Sequence, residues 1–210
     1  MRAAVARPSH VILWIVALGL LAWFASTGAG GRFDHAVAEL VARFRGPAVT
    51  DVMSLADEAL RPMWMTPATL VVAALLFPRL RGMALLVPGS FGAAVGLSFL
   101  LKWVFGRERP MGDLVLPGLD TTGAAFPSAH MAGVTAAGVA LVQLGLLRLR
   151  RGLRRLLAVF VVALIGLTAF SRVYVGAHWA TDVAAGLATG ILGVVIALLV
   201  LRSRAVGLRR

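Results

Sequence analysis

The sequence predicts an all-α, polytopic membrane protein with six transmembrane helices. Three observations carry that prediction. Of 210 residues, 60% are hydrophobic and only 14% are charged, whereas soluble domains run at roughly 45–50% and about a quarter. The apolar residues collect in six segments, and mean hydropathy is +0.89. The basic residues fall in short groups between those segments, in the pattern of topology signals.

The six segments are 11–27, 63–77, 83–105, 129–147, 156–171 and 180–201. A span takes roughly 17–25 residues, so 63–77 and 156–171 are short and should extend into their flanks. The first segment has an alternative as a signal peptide cut within Ser26-Thr27-Gly28-Ala29-Gly30. Its apolar run exceeds a usual signal core of about 7–15 residues, which favours retention. Between the first two segments, Phe33, Val37, Leu40, Val41 and Phe44 recur at helical spacing, and so do Val49, Val52, Met53 and Leu60. Both stretches fit amphipathic helices lying at a membrane interface. The domain expectation is one integral unit over 1–210, with a core at 83–201 and an amphipathic outer segment at 28–62.

Charge asymmetry orients the chain. Arg2 and Arg7, Arg79 and Arg81, the five arginines of 148–155, and Arg202, Arg204, Arg209 and Arg210 share one side with no acidic residue. All nine acidic residues lie on the other side. Positive-inside bias places both termini in the cytoplasm of an inner, or plasma, membrane protein. Residues 28–62, 106–128 and 172–179 then face the periplasm or exterior. The net charge of +12 is too dispersed for a nucleic-acid face, so no nucleic-acid partner is expected. The absence of cysteine excludes disulfides, thiolate metal sites and a cysteine nucleophile.

Three polar clusters fall on the outer side. The first is Lys102-Trp103-Val104-Phe105-Gly106-Arg107-Glu108-Arg109-Pro110; the second is Phe126-Pro127-Ser128-Ala129-His130. The third runs from Ser171-Arg172 through His178 to Asp182. Ionisable groups this close to a bilayer are costly and point to function. Lys102, Arg109 and Arg172 suit a phosphate, because guanidinium forks match its oxygens. Ser128 adds a hydroxyl at an expected helix start, where free backbone N–H groups favour anions. His178 and Asp182, four apart, fit one helix face. An aspartate bonded to one imidazole nitrogen would leave the other free to attack phosphorus, with His130 protonating the leaving oxygen.

These residues resemble the type 2 phosphatidic acid phosphatase (PAP2) superfamily. Lys102, six residues and Arg109-Pro110 match its first motif; Pro127-Ser128-Ala129-His130 matches its second, with alanine in the usual glycine position. Ser171-Arg172, five residues, His178, three residues and Asp182 match its third. The resemblance implies a lipid phosphatase working without metal or other cofactor through a phosphohistidine. His178 would be the nucleophile, Asp182 its orienting partner and His130 the general acid. Lys102, Arg109, Ser128 and Arg172 would bind phosphate. The implied substrates are lipid phosphates or diphosphates such as undecaprenyl diphosphate, phosphatidylglycerophosphate or phosphatidate. A lipid phosphotransferase and a non-catalytic phospholipid transporter or binding protein are the alternatives. The six spans argue against a soluble vanadium-haloperoxidase relative.

Several residues carry blander expectations. Arg107 and Glu108 fit a solvated pair, with substrate contact by Arg107 as the alternative. Asp113 and Asp120 read as loop solvation. His10 and His35 stand outside any cluster. Gly92/Gly96 and Gly186/Gly190 fit close packing within one subunit, with a monomer or a homodimer both open. Trp14, Trp23, Trp64, Trp103 and Trp179 fit interfacial anchors.

Overall fold

The computed structural model describes residues 7–119 and 122–207. Arg2, Asp120, Arg209 and Arg210 therefore lie outside the described residues. Every described regular element is helical: α1 (Pro8–Ser26), α2 (Gly28–Ala42), α3 (Pro47–Ala59), α4 (Pro62–Leu80), α5 (Leu86–Phe105), α6 (Ala129–Arg148), α7 (Arg151–Tyr174) and α8 (Ala180–Gly207). Short 3₁₀ turns sit at Arg81–Leu85 and Gly112–Leu114.

The sequence explains the boundaries. Pro8, Pro47 and Pro62 open their helices at a first-turn position, where the missing N–H costs nothing. Thr27 caps α2 by accepting from the Gly30 N–H at 3.1 Å. Gly106 ends α5 at φ +54°, a left-handed stop favoured by glycine. The segment expected at 156–171 extends at both ends, as its length required. Its last turn takes in Ser171 to Tyr174, so Arg172 is helical rather than part of an outer connection. The next glycine after Arg172 is Gly176, which turns at φ +78°.

Four helical stretches are long and apolar enough to cross a bilayer: Pro8–Ser26, Pro62–Phe105, Arg151–Tyr174 and Ala180–Ser203. The second spans 44 residues and contains both α4 and α5; Ala129–Gly145 in α6 is a shorter apolar helix. Six separate spans therefore do not follow from helix length and composition alone. α6 departs from the pattern because it is an inner helix built of small residues, buried almost without interruption from Ala129 to Ala140.

Packing follows the logic of a helical membrane protein. α5, α6 and α8 form the centre; α1 lies on α8, α4 on α5 and α7 on α6. The interior is small: Ala94, Ala132, Ala136, Ala140 and Ala185 are fully buried. A Cβ on Gly186 would come within 2.6 Å of the Ser128 carbonyl, and one on Gly190 within 2.6 Å of Thr135. The Gly186/Gly190 pattern thus seats α8 on α6 within one chain. Gly92 and Gly96 have nothing beside them. Large apolar side chains face outward, among them Trp23, Leu75, Trp103 and Val162. Inward-small and outward-large is the arrangement of a protein solvated by lipid, and the chain is an integral membrane protein.

The two amphipathic helices form where the periodicity places them, with one correction. Their large apolar residues point away from the protein: Phe33 and Leu40 on α2, Phe44 just past its end, and Val52 and Leu55 on α3. The inner face of α2 is instead Gly30, Asp34 and Ala38, and that of α3 is Met53, Ala56 and Asp57. Each helix thus buries an aspartate.

Candidate active site

The three motif clusters meet at one end of the central helices. Lys102 comes from the last turn of α5, and Arg107 and Arg109 from the loop after it. Ser128 caps α6, and His130 lies in its first turn. Arg172 is in the last turn of α7, His178 in the loop, and Asp182 in the first turn of α8. Backbone bonds lock the clusters together. The Ser128 N–H donates to the Asp182 carbonyl at 3.0 Å, and the Ala125 N–H to the Arg107 carbonyl at 2.7 Å. The Ala177 and His178 N–H groups both donate to the Arg172 carbonyl at 3.1 Å.

Gly176 is obligatory for this closure. Besides its positive φ, a Cβ there would lie 2.1 Å from the Leu114 carbonyl oxygen. The absent side chain lets the 112–116 loop reach the third motif, where the Leu116 N–H donates to the Val175 carbonyl at 3.0 Å. Arg45 clamps the same junction, donating to the carbonyls of Asp113, Leu114 and Tyr174 at 2.6–3.0 Å.

His178 is 2% exposed and lies between opposite charges. Its Nε2 is 3.5 Å from Arg109 Nη1, and its Nδ1 is 3.6 Å from Asp182 Oδ2. The latter distance lies just beyond a hydrogen bond. His178 precedes α8 rather than sharing its face with Asp182. The reason is local: Asp182 Oδ2 accepts the Trp179 N–H at 2.9 Å, half of a capping box that starts the helix at Ala180. Burial first, and then Arg172, Arg109, Lys102 and His130, hold the His178 pKa well below the ordinary imidazole value, so the ring is neutral.

The other expected residues surround this histidine. Arg109 also donates to the Ala177 carbonyl at 2.7 Å and to the Gly123 carbonyl at 2.9 Å. Lys102 Nζ donates to the carbonyls of Ala124 and Ala125. Ser128 is fully buried and its Oγ accepts the Met131 N–H at 3.5 Å. His130 Nε2 is buried with no bonding partner. Arg172 pairs with Asp57 of α3, while its Nε has no acceptor. Ala129 begins α6 with ordinary backbone, since Arg81 is the one non-glycine with positive φ among the described residues. Its methyl is accommodated without backbone strain.

Arg107 is not a solvated partner of Glu108. Its Nη1 donates to Asp182 Oδ1 at 2.5 Å and its Nη2 to Asp34 Oδ2 at 2.6 Å. His35 is not isolated either; its ring lies 4.8 Å from that of Trp179, whose Nε1 donates to the Glu108 carbonyl at 3.0 Å. Asp34, Asp57 and Thr181 escaped motif reasoning. For the two aspartates the available signal was one charged residue on the inner face of each amphipathic helix; for Thr181 there was none. A cavity of about 850 Å³ opens beside Arg109, lined by Arg32, Asp34, His35, Glu39 and Trp179 among others. A second of about 380 Å³ lies by α3, at Thr50, Ser54, Asp57 and Arg61.

A helical membrane protein that gathers cations, a buried histidine and a half-buried one at one end defines a class of anion-handling membrane proteins. Within it, residues 83–205 match the profile of the PAP2 superfamily, and the chain belongs to that superfamily. Its fold is similar to a transmembrane PAP2-type phosphatidylglycerolphosphate phosphatase from Bacillus subtilis. That TM-score is 0.80 at 22% identity, covering 96% of this chain and 98% of the other. It also resembles Aquifex aeolicus LpxE, with a TM-score of 0.62 at 18% identity over 78% and 93% of the two chains. In sequence it is 30% identical over 128 residues to decaprenylphosphoryl-5-phosphoribose phosphatase of Mycobacterium tuberculosis. That match takes in 60% of this chain and 65% of the relative's length.

Proposed function

We propose that this protein is a lipid phosphatase that releases phosphate through a phosphohistidine at His178, without a metal. The observation that carries the proposal is the setting of that side chain. A buried, neutral imidazole presents Nε2 beside Arg109 and Nδ1 beside Asp182. Nδ1 keeps its proton toward the carboxylate, and Nε2 has the lone pair that attacks.

In the first step the Nε2–P bond forms and the ester or anhydride P–O bond breaks. The leaving oxygen takes a proton from His130. Water then attacks phosphorus and returns a proton to His130, and the P–N bond breaks to release inorganic phosphate. Lys102, Arg109 and Arg172 balance the oxyanion charge, and Ser128 donates its hydroxyl.

The substrate class is a lipid phosphomonoester or diphosphate: undecaprenyl diphosphate, phosphatidylglycerophosphate or phosphatidate. The phosphatase names of the B. subtilis and M. tuberculosis relatives support this class. The cavity beside Arg109 offers room for a headgroup. α1, α4, α5, α6, α7 and α8 are the six spans. The arginine-rich connections put both termini in the cytoplasm and the site at the outer face, with 28–62 as an interfacial segment of the single domain.

The test is a panel of these lipids in detergent with the purified protein. Phosphate release that persists in EDTA is expected. Transfer of label to a second lipid instead of water would favour a phosphotransferase, and binding without turnover would overturn the enzymatic reading.

A further inference from the structure

Asp182 is held by more than its own helix. Arg107 Nη1 donates to Asp182 Oδ1 at 2.5 Å, and the same guanidinium donates through Nη2 to Asp34 Oδ2 at 2.6 Å. Asp34 comes from α2, 148 positions before Asp182, yet it is 1% exposed. It is fully bonded there: the Thr181 N–H donates to its Oδ1 at 2.9 Å, and the Thr181 hydroxyl to its Oδ2 at 2.6 Å. The Thr181 hydroxyl in turn accepts from Arg107 Nη1 at 2.7 Å. Two buried carboxylates, one guanidinium and one hydroxyl thus form a closed network directly behind His178.

We infer that Asp34 and Arg107 are positioning residues for the reaction, fixing the direction and the charge of Asp182 through the Asp34–Arg107–Asp182 bridge. Geometry supports the first part. Asp182 Oδ2 turns toward His178 while Oδ1 is pinned from behind, so the carboxylate has no rotational choice. Charge supports the second. An arginine paired with Asp182 alone would cancel its field at His178. Shared with Asp34, it leaves one net negative charge behind the imidazole. That charge favours the proton on Nδ1 and balances the cation that develops as Nε2 bonds to phosphorus. The groups facing His178 from the surrounding elements are Lys102 on α5, Arg109 on the loop, His130 on α6, Arg172 on α7 and Asp182 on α8. Asp57 of α3 offsets Arg172, but Lys102, Arg109 and His130 bear or can acquire positive charge, so the net charge behind Asp182 has weight.

The inference rests on the phosphohistidine reading and is tested separately from it. The probe is phosphate release from phosphatidate in detergent micelles by the purified full chain. Asp34→Asn should lower kcat by roughly 10–100-fold with little change in KM, because positioning is lost while substrate contacts remain. The acid limb of kcat/KM should move to lower pH, since removing a negative charge further disfavours the imidazolium. Arg107→Met combined with Asp34→Asn should be no worse than Arg107→Met alone, the signature of one pathway. Should Asp34→Asn fail to fold, Thr181→Val should lower kcat and Thr181→Ser should restore it. Folded Asp34→Asn or Thr181→Val with kcat within about twofold of the parent, or an unmoved acid limb, would overturn the inference; so would losses that multiply in the double variant. Full turnover by His178→Ala would instead overturn the phosphohistidine reading.

Discussion

The two amphipathic helices, α2 and α3, each send one aspartate inward, but to different partners and with different support. Asp34 of α2 reaches the Asp182 side and is bonded by Arg107 and twice by Thr181. Asp57 of α3 reaches the last turn of α7 and pairs with Arg172. The first carboxylate belongs to a network with many members. The second is matched to one buried cation, and Arg172 Nε still has no acceptor. The same amphipathic pattern therefore produces two mechanical outcomes. α2 anchors the group behind His178, and α3 supplies the charge that lets an arginine be buried at all.

The largest effect is expected at Asp57. Truncating one member of a buried ion pair typically costs about 3–5 kcal/mol, because the other charge remains. Asp57→Ala should therefore cause a large fall in thermal stability in detergent, and Arg172→Met in the same chain should recover part of it. No loss in Asp57→Ala would show that Arg172 needs no carboxylate, and the contrast with α2 would fail.

A smaller effect is expected at the junction that joins the halves. Gly176→Ala must place a side chain at φ +78° and against the Leu114 carbonyl, with strain alone costing about 1–3 kcal/mol. The loop should loosen from the third motif, seen as faster proteolysis within 107–125 and reduced turnover. Gly92→Ala, where a Cβ meets nothing, is the control and should behave as the parent.

The smallest effect is on pH dependence. In the proposed mechanism His178 attacks as neutral imidazole, the form that burial and its cationic neighbours favour. Attack should therefore persist below the ordinary imidazole value of about 6.5, with the acid limb of kcat/KM on the acidic side of it. The sign for stability is opposite. Below that pH the unfolded chain binds a proton that folded His178 refuses, so the fold loses stability as pH falls. An acid limb at or above the ordinary value would contradict the assigned environment.

Much of this was legible in the residues. Lys102, Arg109, Ser128, His130, Arg172, His178 and Asp182 sit at spacings that point to one site, and the helices bring them to one end of the bundle. Apolar periodicity located α2 and α3. Their inner faces were not legible, because Phe33 and Leu55 follow the lipid and Asp34 and Asp57 follow partners far along the chain. Arg107 misled for the same reason: beside Glu108 it looks like half of a local pair, and its real partners are 73 and 75 positions away. The extent of α7 was hidden by composition, since Ser171-Arg172 looks like a connection until Gly176, the next glycine after it, is recognised as the stop. Nor did periodicity mark α6 as an inner helix, because its alanines and glycines give little contrast between faces.

The most direct test of the central claim is to trap the covalent intermediate. The purified protein is mixed with lipid carrying labelled phosphate, quenched at alkaline pH within the first turnover, and digested for mass spectrometry. The account predicts label on His178, stable to base and lost in acid, and its absence in His178→Ala alongside a loss of turnover on the order of a thousandfold or more. Label on another residue, or undiminished phosphate release by His178→Ala, would contradict it.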